Sequence, residues 1–172
     1  MCPTSEYARA NKITTLGDNE VFVFGANAGG FHGAGAAGLA MRGDSRNNWR
    51  DDQVFLRAKA ARAGSPERRG KWAVYGVARG YQEGKEGKSY AIETIVRPGA
   101  RRSTSLSSIK TQLMELLAFA REHPELKFLM TPVGCGYSGY TAKEMKQIWD
   151  EATAKEGIPP NMVIPDNLYT GQ

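Results

Sequence analysis

Cysteine and histidine are scarce in this chain of 172 residues, which carries only Cys2, Cys135, His32 and His123. Two cysteines are too few for a disulfide framework, and Cys2 falls in a terminal stretch expected to be loosely held. With no cysteine near either histidine, no cluster has the spacing of a metal site. No apolar run approaches the ~20 residues of a membrane-spanning helix, and no basic start followed by an apolar stretch marks a secretory leader. The expected setting is a reducing cytoplasm, with no membrane partner and no resident cofactor. Acidic residues are the minority, 18 against 23 basic, for a net charge of +5.

That excess is concentrated in one place. Residues 42–71 hold nine basic side chains (Arg42, Arg46, Arg50, Arg57, Lys59, Arg62, Arg68, Arg69, Lys71) against four acids (Asp44, Asp51, Asp52, Glu67). Such a segment either steers a polyphosphate or nucleic acid towards the protein or forms a solvated surface helix. It offers one aromatic pair, Trp49 and Phe55, and no repeated stacking platform for single-stranded nucleic acid.

Glycine is what the chain has in abundance, 20 residues in all. Two Gly-x-Gly-x-x-Gly loops stand out: Gly33-Ala34-Gly35-Ala36-Ala37-Gly38 after the apolar Val21–Phe24, and Gly134-Cys135-Gly136-Tyr137-Ser138-Gly139 after Phe128–Pro132. Glycines at this spacing allow close approach of backbone to a ligand and free N–H groups for phosphate oxygens. Two such loops at strand-to-helix junctions point to one pocket gripping a diphosphate from two sides.

The periodicity predicts strands at 20–25, 72–75, 89–96, 126–131 and 161–164, and helices at about 35–41, 53–63, 106–121 and from Thr141 on. Ile109, Leu113, Leu116, Leu117 and Ala120 give the third helix one apolar face. Thr141-Ala-Lys-Glu144 has the form of a capping box. Alternating strands and helices predict a mostly parallel sheet covered on both faces, with ligands beyond the strand C-termini. The dinucleotide-binding Rossmann pattern fits poorly, because Gly33 follows Phe24 after a long gap and no acidic residue ends a second strand at the required distance. Neither glycine motif ends in Gly-Lys-Ser/Thr, which excludes a Walker loop.

Val21-Phe-Val-Phe-Gly25-Ala26-Asn27, followed by Gly29-Gly30-Phe31-His32-Gly33-Ala34-Gly35-Ala36, resembles the strand end and first phosphate loop of macrodomains, the modules that bind ADP-ribose. Pro132-Val-Gly134-Cys135-Gly136-Tyr137-Ser138-Gly139-Tyr140 is similar to that family's second loop. The likeness runs over about residues 20–165 and is closest to small phage or bacterial macrodomain-like proteins. It implies one α/β domain over 1–172, a three-layer α/β/α sandwich with a mixed, mostly parallel central sheet and a basic insertion at about 42–71. Two departures concern the nucleoside: Phe24 stands where the family's first Asn is found, and no Asp other than Asp18 lies near a position that would read an adenine amino group.

The resemblance implies that Gly25, Ala26 and both loops line the ligand, with Asn27 against the distal ribose. Asn27 is a candidate catalytic residue, and the alternative is a turn-forming residue at a strand end. His32 is a candidate acid or base beside that ribose, or a loop histidine satisfied by backbone. Tyr137 and Tyr140 are candidate ribose contacts or half-buried loop aromatics. Cys135 reads as a packing residue rather than a nucleophile, for want of a basic partner. Glu93, mid-strand among apolar neighbours, is a weaker candidate base. The implied activity is binding of ADP-ribose or a related NAD-derived nucleotide, free or on an ADP-ribosylated protein or nucleic acid. Hydrolysis of ADP-ribosyl linkages or of ADP-ribose 1''-phosphate, or sequestration of a nucleotide messenger, are the alternatives.

Overall fold

The computed structural model describes residues 13–46 and 48–169; Cys2 lies outside them. The elements are β1 (Glu20–Asn27), α1 (Gly35–Arg42), α2 (Gln53–Ala60), β2 (Gly80–Glu83), β3 (Lys88–Ile95), α3 (Leu106–Glu122), β4 (Lys127–Leu129), α4 (Ala142–Thr153) and β5 (Met162–Val163). Short 3-10 turns occur at Pro66–Arg68 and Gly136–Ser138. The sheet order is β2-β3-β1-β4-β5. Only the β2–β3 pair is antiparallel; β1 pairs in parallel with both β3 and β4, and β4 with β5.

The period of two in β1 builds the layers. Val21 and Val23 face one side and pack with Tyr90, Ile92, Phe128 and the apolar stripe of α3 and α4. Phe22 and Phe24 face the other, with Ala36, Ala37, Ala40 and Trp72. The small residues of α1 let it lie close to the sheet, while α3 and α4 cover the opposite face. The chain is therefore α/β, with a mixed, mostly parallel sheet between helical layers. Among the described residues, no helix is long and apolar enough to cross a membrane.

One expected strand is corrected, and one strand is found where the periodicity predicts none. Residues 72–75 form no strand; they brace α1 instead. Lys71 N–H donates to Met41 O (2.8 Å), and the N–H groups of Trp72 and Ala73 donate to Ala40 O (2.7 and 3.1 Å), satisfying carbonyls that a helix end leaves open. Side chains rather than a ladder hold this brace to the sheet: Ser89 Oγ donates to Trp72 O (2.6 Å), and Gln82 Oε1 accepts from Val74 N–H (2.6 Å). The missing strand lies instead within the glycine-rich connection after Gly76. There β2 pairs with β3 in the register Gly80↔Ala91 to Glu83↔Lys88.

The site end of the sheet is irregular. The β1–β3 register slips between Ala26 and Asn27, so that Ala26 faces Glu93 but Asn27 faces Ile95. Gln112 of α3 takes up the slack, its Oε1 accepting from Glu93 N–H (2.7 Å) and its Nε2 donating to Glu93 O (2.8 Å). On the other side β4 pairs with β1 only as far as Leu129↔Phe22, and Thr131 Oγ1 then donates to Val23 O (2.6 Å). Beyond Phe22 and Leu129 the β1–β4 ladder ends, on the edge where the chain leaves β1 for one face and β3 for the other, as at a ligand-binding switch point.

Candidate functional site

A cavity of about 350 Å³ opens at that edge, within the ~300–1,000 Å³ usual for small-ligand sites. Both glycine loops line it. From the first come Gly25, Ala26, Asn27, Gly33, Ala34, Gly35 and Ala36; from the second, Gly134, Cys135, Tyr137 and Ser138. Thr94, at the register slip, and Pro98 add to the wall. Of the expected ligand-binding residues, Gly136, Gly139 and Tyr140 are outside the lining. Gly136 and Gly139 shape the turn, which Gly139 N–H closes onto Gly136 O (3.1 Å). Tyr140 is buried, its hydroxyl donating to Thr104 O (2.5 Å). Tyr137 is 66% exposed at the rim.

The helix starts that face the cavity differ from those that do not. α2, α3 and α4 each carry a side-chain cap, from Asp52, Ser105 and Thr141, and Thr141 with Glu144 completes the expected capping box. Even the 3-10 turn at Pro66 is capped, by Ser65. α1 begins at Ala34 and the Gly136–Ser138 turn at Cys135, and neither has a side-chain cap. Gly35, at φ +64°, turns the chain into α1 in a conformation that a side chain would strain. Gly35 N–H is taken by Ser45 O, but Ala36 and Ala37 N–H have no acceptor among the described residues. Unbonded first-turn amides at the positive end of a helix dipole attract anions.

Among the described residues, no Asp, Glu, Lys, Arg or His lines the cavity, and the charge they present there comes from such dipoles. Among the described residues, no three His, Cys, Asp or Glu side chains gather as a metal site. Asn27 has its Oδ1 engaged, accepting from Phe31 N–H (3.0 Å), while its Nδ2 has no partner among the described residues. The residue thus serves the turn and still presents a donor on the cavity wall. Glu93, by contrast, is not part of the lining.

His32 is away from the cavity lining. It is 0% exposed, edge-on to Phe24 with ring centroids 5.2 Å apart. Nε2 lies 3.1 Å from both Val74 O and Val77 O, so it carries the proton and donates to them. Nδ1 is buried without a partner among the described residues. Protonating it would strand a charge there, and burial accordingly lowers the pKa to about 4. Of the two sequence readings, the geometry matches the histidine held by backbone, which ties the first loop to residues 74–77. Gly76 N–H, donating to Gly30 O (2.9 Å), adds a second tie.

This histidine makes the fold acid-sensitive. With its pKa lowered on folding, the unfolded chain binds the extra proton between about pH 6.5 and 4. Stability is therefore full above 6.5 and falls as pH drops towards 4, by about 3 kcal/mol if His32 acts alone. Denaturant titrations from pH 7 to 4 should show this slope, and His32→Gln should flatten it. An unchanged slope in the variant would assign the acid sensitivity elsewhere.

Several site residues carried no signal in the sequence of the part they play here. Arg42, 0% exposed at its side chain, donates from Nη1 to Gly33 O (2.6 Å) and from Nη2 to Asp44 O (3.0 Å) and Asn48 Oδ1 (2.9 Å). It thereby fastens the first glycine loop to the segment after α1. That segment brings Trp49 to the cavity wall beside Phe31. Tyr169 braces the second loop from below, its hydroxyl donating to Val133 O (2.8 Å). Arg101 lies against Gly139, where an added Cβ would be 3.1 Å from the guanidinium carbon. The neighbouring Arg102 grips Glu144 bidentately (2.8 and 2.9 Å) and holds that carboxyl down to about 2. No model of a known protein family matches the sequence, and no curated protein matches it as a relative.

Proposed function

We propose that the protein binds ADP-ribose or a related NAD-derived nucleotide in the cavity between the two glycine loops. One observation carries the reading: two turns distant in sequence, both lacking the side-chain cap found at every other described helix start, line a single cavity. A diphosphate is the ligand group that two such amide turns suit, since it presents anionic oxygens on two linked centres. Asn27 supplies a free amide donor for ribose hydroxyls beside the first turn. The resemblance of both loops to macrodomain loops adds support.

The lining favours binding over acid–base chemistry, since no described Asp, Glu, Lys, Arg or His is part of it. Calorimetric titration with ADP-ribose, AMP and NAD, followed by chromatography of the recovered ligand, tests both points. ADP-ribose should bind more tightly than AMP and return intact; release of ribosyl products would make the protein a hydrolase. Asn27→Asp keeps the acceptor for Phe31 N–H but replaces the donor with a charge. It should weaken ADP-ribose at least tenfold while leaving thermal stability near wild type. No heat with any of the three nucleotides would end the reading.

A further inference from the structure

We infer that Phe31 and Trp49 form a surface on which a planar base of the bound nucleotide packs, which makes the segment after α1 part of the ligand site. This rests on the nucleotide reading above and extends it to how the base is recognised. Both rings line the cavity next to the first glycine loop, edge-on to each other at 4.9 Å and 79°. Both press on Gly33, where an added Cβ would meet the Phe31 ring at 2.7 Å and Trp49 Cδ1 at 3.4 Å. Buried Phe55 backs the pair, 5.1 Å from Phe31 and 5.3 Å from Trp49.

The other two tryptophans make the contrast. Trp72 and Trp149 are 1% and 5% exposed and belong to the two cores. Trp49 is half-buried, with Arg50 placing its guanidinium 5.1 Å from the ring. A fixed aromatic wall in a cavity that no described Asp, Glu, Lys, Arg or His lines reads a base by its face, with Asn27, Thr94, Thr131, Ser138, Tyr137 and backbone to read its edge. Thr131 already spends its hydroxyl proton on Val23 O. Face recognition is tolerant of base identity, because every base has a π surface. The ligand class is thus a diphosphate-bearing nucleotide whose base is held by packing and weakly selected.

Tryptophan fluorescence tests this on the whole protein. ADP-ribose and its hypoxanthine and guanine counterparts should each alter the emission and bind within about tenfold of one another, while inorganic pyrophosphate should leave the emission unchanged. Trp49→Phe should keep an aromatic face and lose the optical signal, binding more tightly than Trp49→Ala, which should weaken the nucleotides on the order of tenfold. Should the alanine variant not fold, the wild-type emission decides. ADP-ribose that binds by calorimetry with silent emission would overturn the aromatic wall and leave the nucleotide site standing. ADP-ribose that gives no heat removes the site itself.

Discussion

Arg42→Met is expected to cost about 3–5 kcal/mol of stability, the range for breaking one side of a buried charged network. The aliphatic stem would be replaced at similar volume, so the loss isolates the guanidinium. Its fork donates to Gly33 O, Asp44 O and Asn48 Oδ1, with Nε 3.5 Å from Asp52 Oδ2. Without it, Gly33 O at the start of the first glycine loop loses its donor at a buried residue, and an unsatisfied group there costs about 1–3 kcal/mol. Burial lowers the arginine pKa, and Asp52 and Asp44 oppose that shift in part. Arg42→Lys should recover little, because an ammonium is a compact charge that cannot span acceptors set out for a planar fork. Urea denaturation at neutral pH measures both. A methionine variant within about 1 kcal/mol of wild type would show that the loop is held by other means.

The case of Arg42 also marks where sequence reading stops. What was legible came from periodicity. β1 is four apolar residues in a row because both sheet faces are covered, and α3 shows a stripe because one side meets the core. The capping box at Thr141 was legible because its partners are three residues apart. The glycine loops could be placed at one end of the sheet because both follow parallel strands. By contrast, Arg42, Trp49 and Tyr169 act through contacts that close only when the chain folds, and singly they resemble any basic or aromatic surface residue. Residues 72–75 read as a strand because their apolar content is right, yet they serve as a cap for α1. β2 was hidden because an edge strand flanked by glycine and charge has little to alternate. His32 drew attention by its position inside a motif, and its burial follows from residues 74 and 77, which no local pattern connects to it.

Ala34→Asp is expected to separate function from stability most sharply. Ala34 sits at the start of α1 with extended backbone (φ −148°, ψ 177°), a cap position without a capping group. Asp52 occupies the equivalent position of α2 with extended backbone and accepts from Phe55 N–H (2.9 Å). A carboxylate at 34 should likewise engage the first-turn amides and favour the helix dipole, leaving stability unchanged or raised by up to about 1 kcal/mol. Ligand binding should move the other way. The carboxylate would occupy donors assigned to phosphate and set a negative charge close to two more; at ~5 Å and an effective dielectric of ~20, one such pair repels by about 3 kcal/mol. Nucleotide affinity should therefore drop by at least about a hundredfold. Ala34→Ser, a neutral cap, should fall between the variant and wild type, which distinguishes competition for amides from charge repulsion. Calorimetry and thermal melting on the same samples provide both readouts. A variant that melts at or above the wild-type temperature yet binds ADP-ribose undiminished would place the diphosphate away from α1, because a helix start that attracts anions cannot be indifferent to one built into it.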